Sequence, residues 1–318
     1  MSRRAGELNL TGMSELRIGL IGGTGLGQEL VTSHNGGGCR HDVDTPFGKP
    51  SDAIIETEIA GLTVLIVNRH GPGHLINPSA VPSRANIFAL KSLGCTHIIA
   101  SGAVGSLREE LRPRDVVVVD QFIDKTSGRK GTFFEQAAVH TEFAEPCCGV
   151  LRKLLIGAAE SVSARGEHDF KVHSRGCYVC MEGPAFSTRA ESLMHRLWGG
   201  DLIGMTSLPE ARLAREAEIP YALLALVTDY DCWRNRPAGA LVDSAELLKE
   251  IIGNLQVATH NTITLIQAAL AMAKDHEAEL MAAPAREALK LAIWSDKKQI
   301  APQEVRRLEP LWGKYFPG

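Results

Sequence analysis

Val116-Val117-Val118-Val119 is a run of four β-branched apolar residues without polar alternation, and such a run reads as a strand buried on both faces. Strands of that kind belong to sheets covered by helices, so helical patterns are expected between them. Upstream, His97–Ala100 reads as a strand running into a small-residue loop, Ser101-Gly102-Ala103-Val104-Gly105-Ser106. Before it, Ser83–Leu93 follows Pro82 as a helix, with Gly94 where a helix is usually closed. Leu62–Val67 is a strand ending in Asn68-Arg69-His70-Gly71, and Ile18–Ile21 ends in the glycine loop Gly22–Gly27. Downstream, Cys177–Glu182 and Tyr221–Thr228 read as strands, the second ending in Asp229-Tyr230-Asp231. Thr188 with Glu191, Ser207 with Glu210 and Asp243 with Glu246 have capping-box spacing and mark helix starts. The last of these helices reaches about Ala273. The expected fold is therefore α/β, a single domain over 17–273 with a mixed, largely parallel central sheet flanked by helices. Residues 274–318 form a charged, alanine-rich helical extension: Pro284 interrupts it, Ala285–Trp294 is amphipathic, and the tail carries Trp312, Tyr315 and Phe316.

The 318 residues contain 34 Lys+Arg and 37 Asp+Glu, a net charge of −3, and are 44% hydrophobic. That balance excludes a mainly disordered chain and the one-sided positive charge that phosphate-backbone binding needs. Seven scattered cysteines read as reduced thiols, and Arg3-Arg4 is followed by no apolar secretory region. Asn254–Ala273 is the most apolar long stretch, but Gln256, His260, Asn261 and Gln267 make it a water-soluble amphipathic helix. A cytoplasmic protein is expected, with no membrane or nucleic-acid partner.

Reactive groups in open α/β sheets gather beyond the carboxyl ends of strands. Glycines at 22, 23, 25 and 27 let the backbone approach an anion, and Thr24 adds a hydroxyl. A Walker loop would need Lys after the glycines, and a dinucleotide fingerprint would need glycine at 28, where Gln28 stands. Arg69 offers a fork for a phosphate or carboxylate with His70 beside it, or is a surface arginine next to a core-edge histidine. The Ser101–Ser106 amides could face the same anion, or form only a tight turn. An aspartate leaving a buried strand is poorly solvated, which suits Asp229 to carry a proton; Asp231 also reads as an Asx turn or helix cap. Phe186 with Ser187 puts an aromatic face beside a hydroxyl, or is a core phenylalanine. Cys177-x-x-Cys180 has metal spacing but no second pair, and strand positions explain it better. His70-x-x-x-His74 encloses Pro72 and two glycines, so it cannot share one helical face, and no metal is expected.

Together these stretches resemble the methylthioadenosine phosphorylase branch of the trimeric purine nucleoside phosphorylase family, from about Arg17 to Ala273. The resemblance also rests on Asp44–Gly48, Asp120–Asp124, Met181-Glu182-Gly183-Pro184, Met205-Thr206 and Thr228–Trp233. It implies a nucleoside phosphorylase domain that cleaves 5′-methylthioadenosine with inorganic phosphate, giving adenine and 5-methylthioribose 1-phosphate. Phosphate would be held by Thr24, Arg69, His70, the Gly102 and Ala103 amides, and Thr206. Met205 would lie under the nucleoside, Phe186 and Ser187 near it, and Asp229 and Asp231 at the purine edge, with Asp229 the catalytic acid. His140 and Val242 would approach the 5′ group. Phosphate is then a co-substrate, no cofactor is needed, and a homotrimer is implied. Asp229 favours a 6-aminopurine over the alternative, a 6-oxopurine nucleoside or methylthioinosine. Ser101-Gly102 stands where the family carries two threonines, which removes one hydroxyl near the phosphate.

Overall fold

The computed structural model describes residues 16–23, 26, 29–30, 38–166, 170–234 and 244–316. The strands are β1 (Arg17–Gly22), β2 (Cys39–His41), β3 (Ile54–Ile59), β4 (Leu62–Asn68), β5 (His97–Ser106) and β6 (Val116–Val118). They continue with β7 (Gln121–Lys125), β8 (Val172–His173), β9 (Cys177–Met181), β10 (Leu202–Gly204) and β11 (Tyr221–Asp229). All join one mixed sheet in the order β2-β3-β4-β1-β5-β10-β9-β7, with β11, β6 and β8 branching from β5. Six of its ten pairings are parallel, as expected for an α/β sheet. The valine run is fully buried, so the reading of a strand covered on both faces holds.

The branch at β5 creates the space for a site. On one edge β11 pairs with it from Ile98 to Gly105. On the other edge β1 pairs only up to Ala100, and β10 begins only at Gly105. Between them, Ser101 to Val104 has no strand neighbour on that side. The expected loop at 101–106 is thus the second half of a ten-residue strand. Glycine and alanine have little strand preference of their own, and the partner β11 imposes the conformation.

Helices cover both faces. On one, α1 (Ser83–Ser92) buries Ile87, Phe88 and Leu90, and Gly94 follows it at φ +77. On the other, α2 (Gly149–Ala164) buries Leu151, Leu154, Leu155, Ala158, Ala159 and Val162, the one-sided stripe of a helix on a sheet. Helix α3 (Arg189–Leu197) starts with the expected capping box, Thr188 and Glu191 bonding reciprocally. Helix α4 (Ser207–Glu216) does not: no side chain caps it, and Glu210 turns inward instead. Helix α5 (Ser244–Ala273) crosses the sheet; its expected cap Asp243 lies outside the described residues.

The extension follows α5 from Lys274. It is built from short pieces, α6 (Glu277–Met281), α7 (Pro302–Arg307) and α8 (Glu309–Trp312), with 3-10 turns between them. Ala285–Trp294 is not one continuous helix: it begins in the 3-10 turn Pro284–Glu287, and its far end is paired with another segment. The His140 N–H donates to the Ala292 carbonyl and the Trp294 N–H to the Ala138 carbonyl. Leu289, Ile300, Leu308, Leu311 and Trp312 enter the same apolar core as α1 and α4. No described helix is long and apolar enough to cross a membrane.

Candidate active site

A cavity of about 480 Å³ opens where β5 lacks its neighbour. Gly23, Arg69, His70, Ser101, Gly102, Ala103, Phe186, Ser187, Met205, Thr206, Asp229 and Asp231 all line it. Thr24 and Val242 lie outside the described residues. His140 is not brought to this cavity: its ring packs against Trp294 at 4.6 Å.

The anion-binding end is built around Arg69, only 1% exposed. Its Nε and Nη2 donate to the two oxygens of Glu210 at 2.9 and 3.0 Å, and Nη1 donates to the Ser101 carbonyl at 2.8 Å. Burial by itself works against the charge, but Glu210 more than offsets it and the pKa is raised, so Arg69 stays cationic. Three of its five N–H groups are used by those bonds, leaving two for a ligand in the cavity. Backbone alternation puts the Ala103 N–H on the same side of β5 as the Ser101 carbonyl, toward that gap. A Cβ added at Gly102 would lie 3.2 Å from Thr206 Oγ1, so this strand and the start of α4 belong to one site.

His70 presents an acceptor to the cavity, not a donor. Its Nδ1 lies 2.8 Å from the Ile76 carbonyl, which only accepts, so Nδ1 carries the hydrogen. Burial first, then the nearby Arg69 and His74 charges, lower its pKa to about 4. In neutral imidazole Nε2 is then a lone pair, an acceptor for a protonated phosphate oxygen.

At the other end, Asp229 leaves β11 where the register slips between Val227 and Asp229. Its Oδ1 accepts from Thr228 Oγ1 at 2.6 Å and its Oδ2 from the Asp231 N–H at 2.9 Å. Burial raises its pKa against those two hydrogen bonds. Burial also raises Asp231, helped by the Asp229 charge, while the Ser192 hydroxyl lowers it. Asp231 Oδ2 has no partner within the described residues, and the residue sits at φ +46. Between the two ends lies Met205. A Cβ at Gly183 would come within 2.5 Å of Met205 Sδ, and Gly183 has φ +69, so only glycine lets the two loops meet. Phe186 is 81% exposed at the mouth, not in a core.

None of the seven cysteines is joined to another by a disulfide, and no group of three or more His, Cys, Asp or Glu is placed for a metal among the described residues.

The sequence profile of the phosphorylase superfamily matches residues 17–271. The chain belongs to that superfamily. Among its relatives, an S-methyl-5′-thioadenosine phosphorylase of Synechocystis is 44% identical, over 94% of this chain and 88% of the relative. One from Puccinia graminis is 48% identical, over 81% of this chain and 85% of the relative. A crystal structure of a methylthioadenosine phosphorylase from an Antarctic soil metagenomic library superposes with a TM-score of 0.81 at 42% identity, covering 93% of this chain and 98% of the other. The methylthioadenosine phosphorylase of Schistosoma mansoni, in complex with adenine, gives 0.77 at 35% identity, covering 88% and 99%.

Reading this superfamily member from sequence alone missed Glu210 and the face of α5 carrying Ile251, Leu255 and Thr259, which closes the cavity. The i, i+4, i+8 spacing of those three was a usable signal for one helical face. Glu210 had none beyond its helix-start position, because its partner Arg69 is 141 residues away.

Proposed function

We propose that this protein catalyses phosphorolysis of 5′-methylthioadenosine, a pentosyl transfer to inorganic phosphate that needs no resident cofactor. The observation that carries the reading is the opposition across one cavity of a buried cation and open strand amides to a buried, proton-retaining carboxyl, in a chain whose relatives carry that name. Arg69, the Ala103 N–H, Thr206 and Thr24 are assigned to phosphate, neutral His70 accepts from its P–OH, and Gly102, whose N–H is turned by strand alternation toward β11, leaves room beside Thr206. Met205, Phe186 and Ser187 are assigned to the nucleoside. As the glycosidic bond breaks, positive charge grows on the sugar and negative charge on the base. The bound phosphate stabilises the first and attacks the anomeric carbon from the opposite face. Asp229 protonates the purine at nitrogen 7, and Asp231 accepts from the exocyclic amine. Apolar Leu26, Ile251 and Leu255 in the lining suit a methylthio group better than a hydroxyl.

The test is adenine release from methylthioadenosine with and without phosphate, beside inosine. Strictly phosphate-dependent adenine release with inosine inert is expected. Faster turnover of inosine overturns the 6-aminopurine assignment, and turnover of neither overturns the reaction. A homotrimer is proposed as well, supported by Phe186 exposed at the mouth, Leu197 and Trp198 exposed at the end of α3, and Leu291 and Trp294 exposed beside His140. In that assembly His140 reaches a neighbour's 5′ pocket rather than its own. Light scattering should give three chain masses; a monomer at assay concentration would sink it.

A further inference from the structure

Arg129 lies in the segment joining β7 to α2, and it does not line the cavity. Its side chain is nevertheless 5% exposed and all five of its N–H groups are used. Nη1 donates to the carbonyls of Met205 at 2.7 Å and Leu208 at 2.8 Å. Nη2 donates to the carbonyls of Glu182 at 2.6 Å and Met181 at 3.4 Å, and Nε donates to Glu182 Oε1 at 3.1 Å. Those acceptors lie in and beside two different loops, Met181 ending β9 and Leu208 opening α4. One follows β9 and carries Phe186 and Ser187; the other follows β10 and carries Met205 and Thr206. No other described side chain is bonded to carbonyls of both loops.

We infer that Arg129 is a positioning residue that fixes the nucleoside-contacting loop against the phosphate-contacting loop. The inference rests on the phosphorolysis reading above. Each loop keeps its own ligand groups without Arg129, so either substrate alone still binds; what is lost is their mutual alignment. Misplacement of reacting groups by about 1 Å costs on the order of 10²-fold in rate. A lysine keeps the charge but has three donors on one atom and cannot span both loops. The Glu182 side chain, by contrast, supplies one bond of the five.

The experiment compares the parent with Arg129→Lys, Arg129→Gln and Glu182→Gln, measuring kcat, both KM values and Tm. Expected is a fall in kcat of about 10²-fold for Arg129→Lys, with each KM changed by less than about threefold. Glu182→Gln should stay within about threefold of the parent kcat. In the parent, adenine is expected to tighten phosphate binding through the shared clamp, and in Arg129→Lys that coupling is expected to vanish, which general loosening of the fold would not do selectively. A kcat for Arg129→Lys within threefold of the parent overturns the proposal, as does a rise in both KM values at constant kcat. So does an equal loss in Glu182→Gln, which would assign the effect to the ion pair, and so does loss of cooperative unfolding in both Arg129 variants, which would make the residue structural. A parent that releases no adenine defeats the reaction itself and is read before any variant.

Discussion

The hydroxyl hydrogen of Thr228 faces two acceptors, Asp229 Oδ1 at 2.6 Å and the Val104 carbonyl at 3.1 Å. With Asp229 ionised, the hydrogen goes to the carboxylate. With Asp229 protonated on Oδ1, the carboxyl donates to Thr228 and the hydroxyl turns to Val104. Both charge states are therefore satisfied, which a residue that gives up and regains a proton requires. Asp229→Asn keeps the shape and a donor but has no transferable proton. On methylthioadenosine kcat should fall about 10²- to 10⁴-fold while relative activity on inosine rises. The measurement is kcat/KM for both nucleosides, and an unchanged ratio between them would refute the selectivity role. The raised pKa of the parent also means its acid form persists above the ordinary carboxyl range, so the alkaline limb assigned to this group should vanish in the variant.

At the scale of elements, the strands were legible because β-branched runs announce themselves, and Arg17–Gly22, Leu62–Asn68 and Tyr221–Asp229 lie within a residue or two of their expected bounds. What was not legible is anything decided by a distant partner. Ser101–Ser106 is strand only because β11 runs alongside it, and its open edge exists only because the pairing with β1 stops at Ala100 while that with β11 continues to Gly105. Helix α4 shows the same thing in a side chain. Glu210 stands where a capping glutamate would, yet Arg69 and the Tyr221 hydroxyl, 2.8 Å away, draw it into the core. A buried ion pair broken on one side typically costs about 3–5 kcal/mol, more than the roughly 1 kcal/mol of a helix cap, so the inward arrangement wins. The site loops were readable as motifs. Arg129 was not, since four of its five bonds go to backbone carbonyls that every residue possesses.

At the scale of the whole molecule, the end of α4 holds the extension and the β7–α2 segment together. Glu218 Oε1 accepts from the Leu289 N–H at 2.9 Å and the Tyr315 hydroxyl at 2.6 Å, and Lys314 Nζ lies 2.6 Å from Oε2. Two residues earlier, Glu216 Oε2 accepts the Phe133 N–H at 2.8 Å, in the same segment that carries Arg129. Trp312, fully buried against Phe134, joins the tail to that segment from the other side. Burial pushes Glu216 up to about 7 against the bonds from Phe133 and Thr132. A carboxyl whose folded pKa is raised binds more protons folded than unfolded between the two values. Its contribution to stability is therefore greatest below about 4.5 and is lost as pH rises through about 7. Glu216→Gln removes that loss while keeping an acceptor for Phe133. The variant's Tm relative to the parent should climb between pH 5 and pH 8, reflecting a stability gain that approaches on the order of 3 kcal/mol at the upper end. A Tm difference that stays flat across that range would show that Glu216 ionises as easily folded as unfolded. The clamp on the Arg129 segment would then carry no pH dependence of its own, and any alkaline loss of activity would have to come from the cavity.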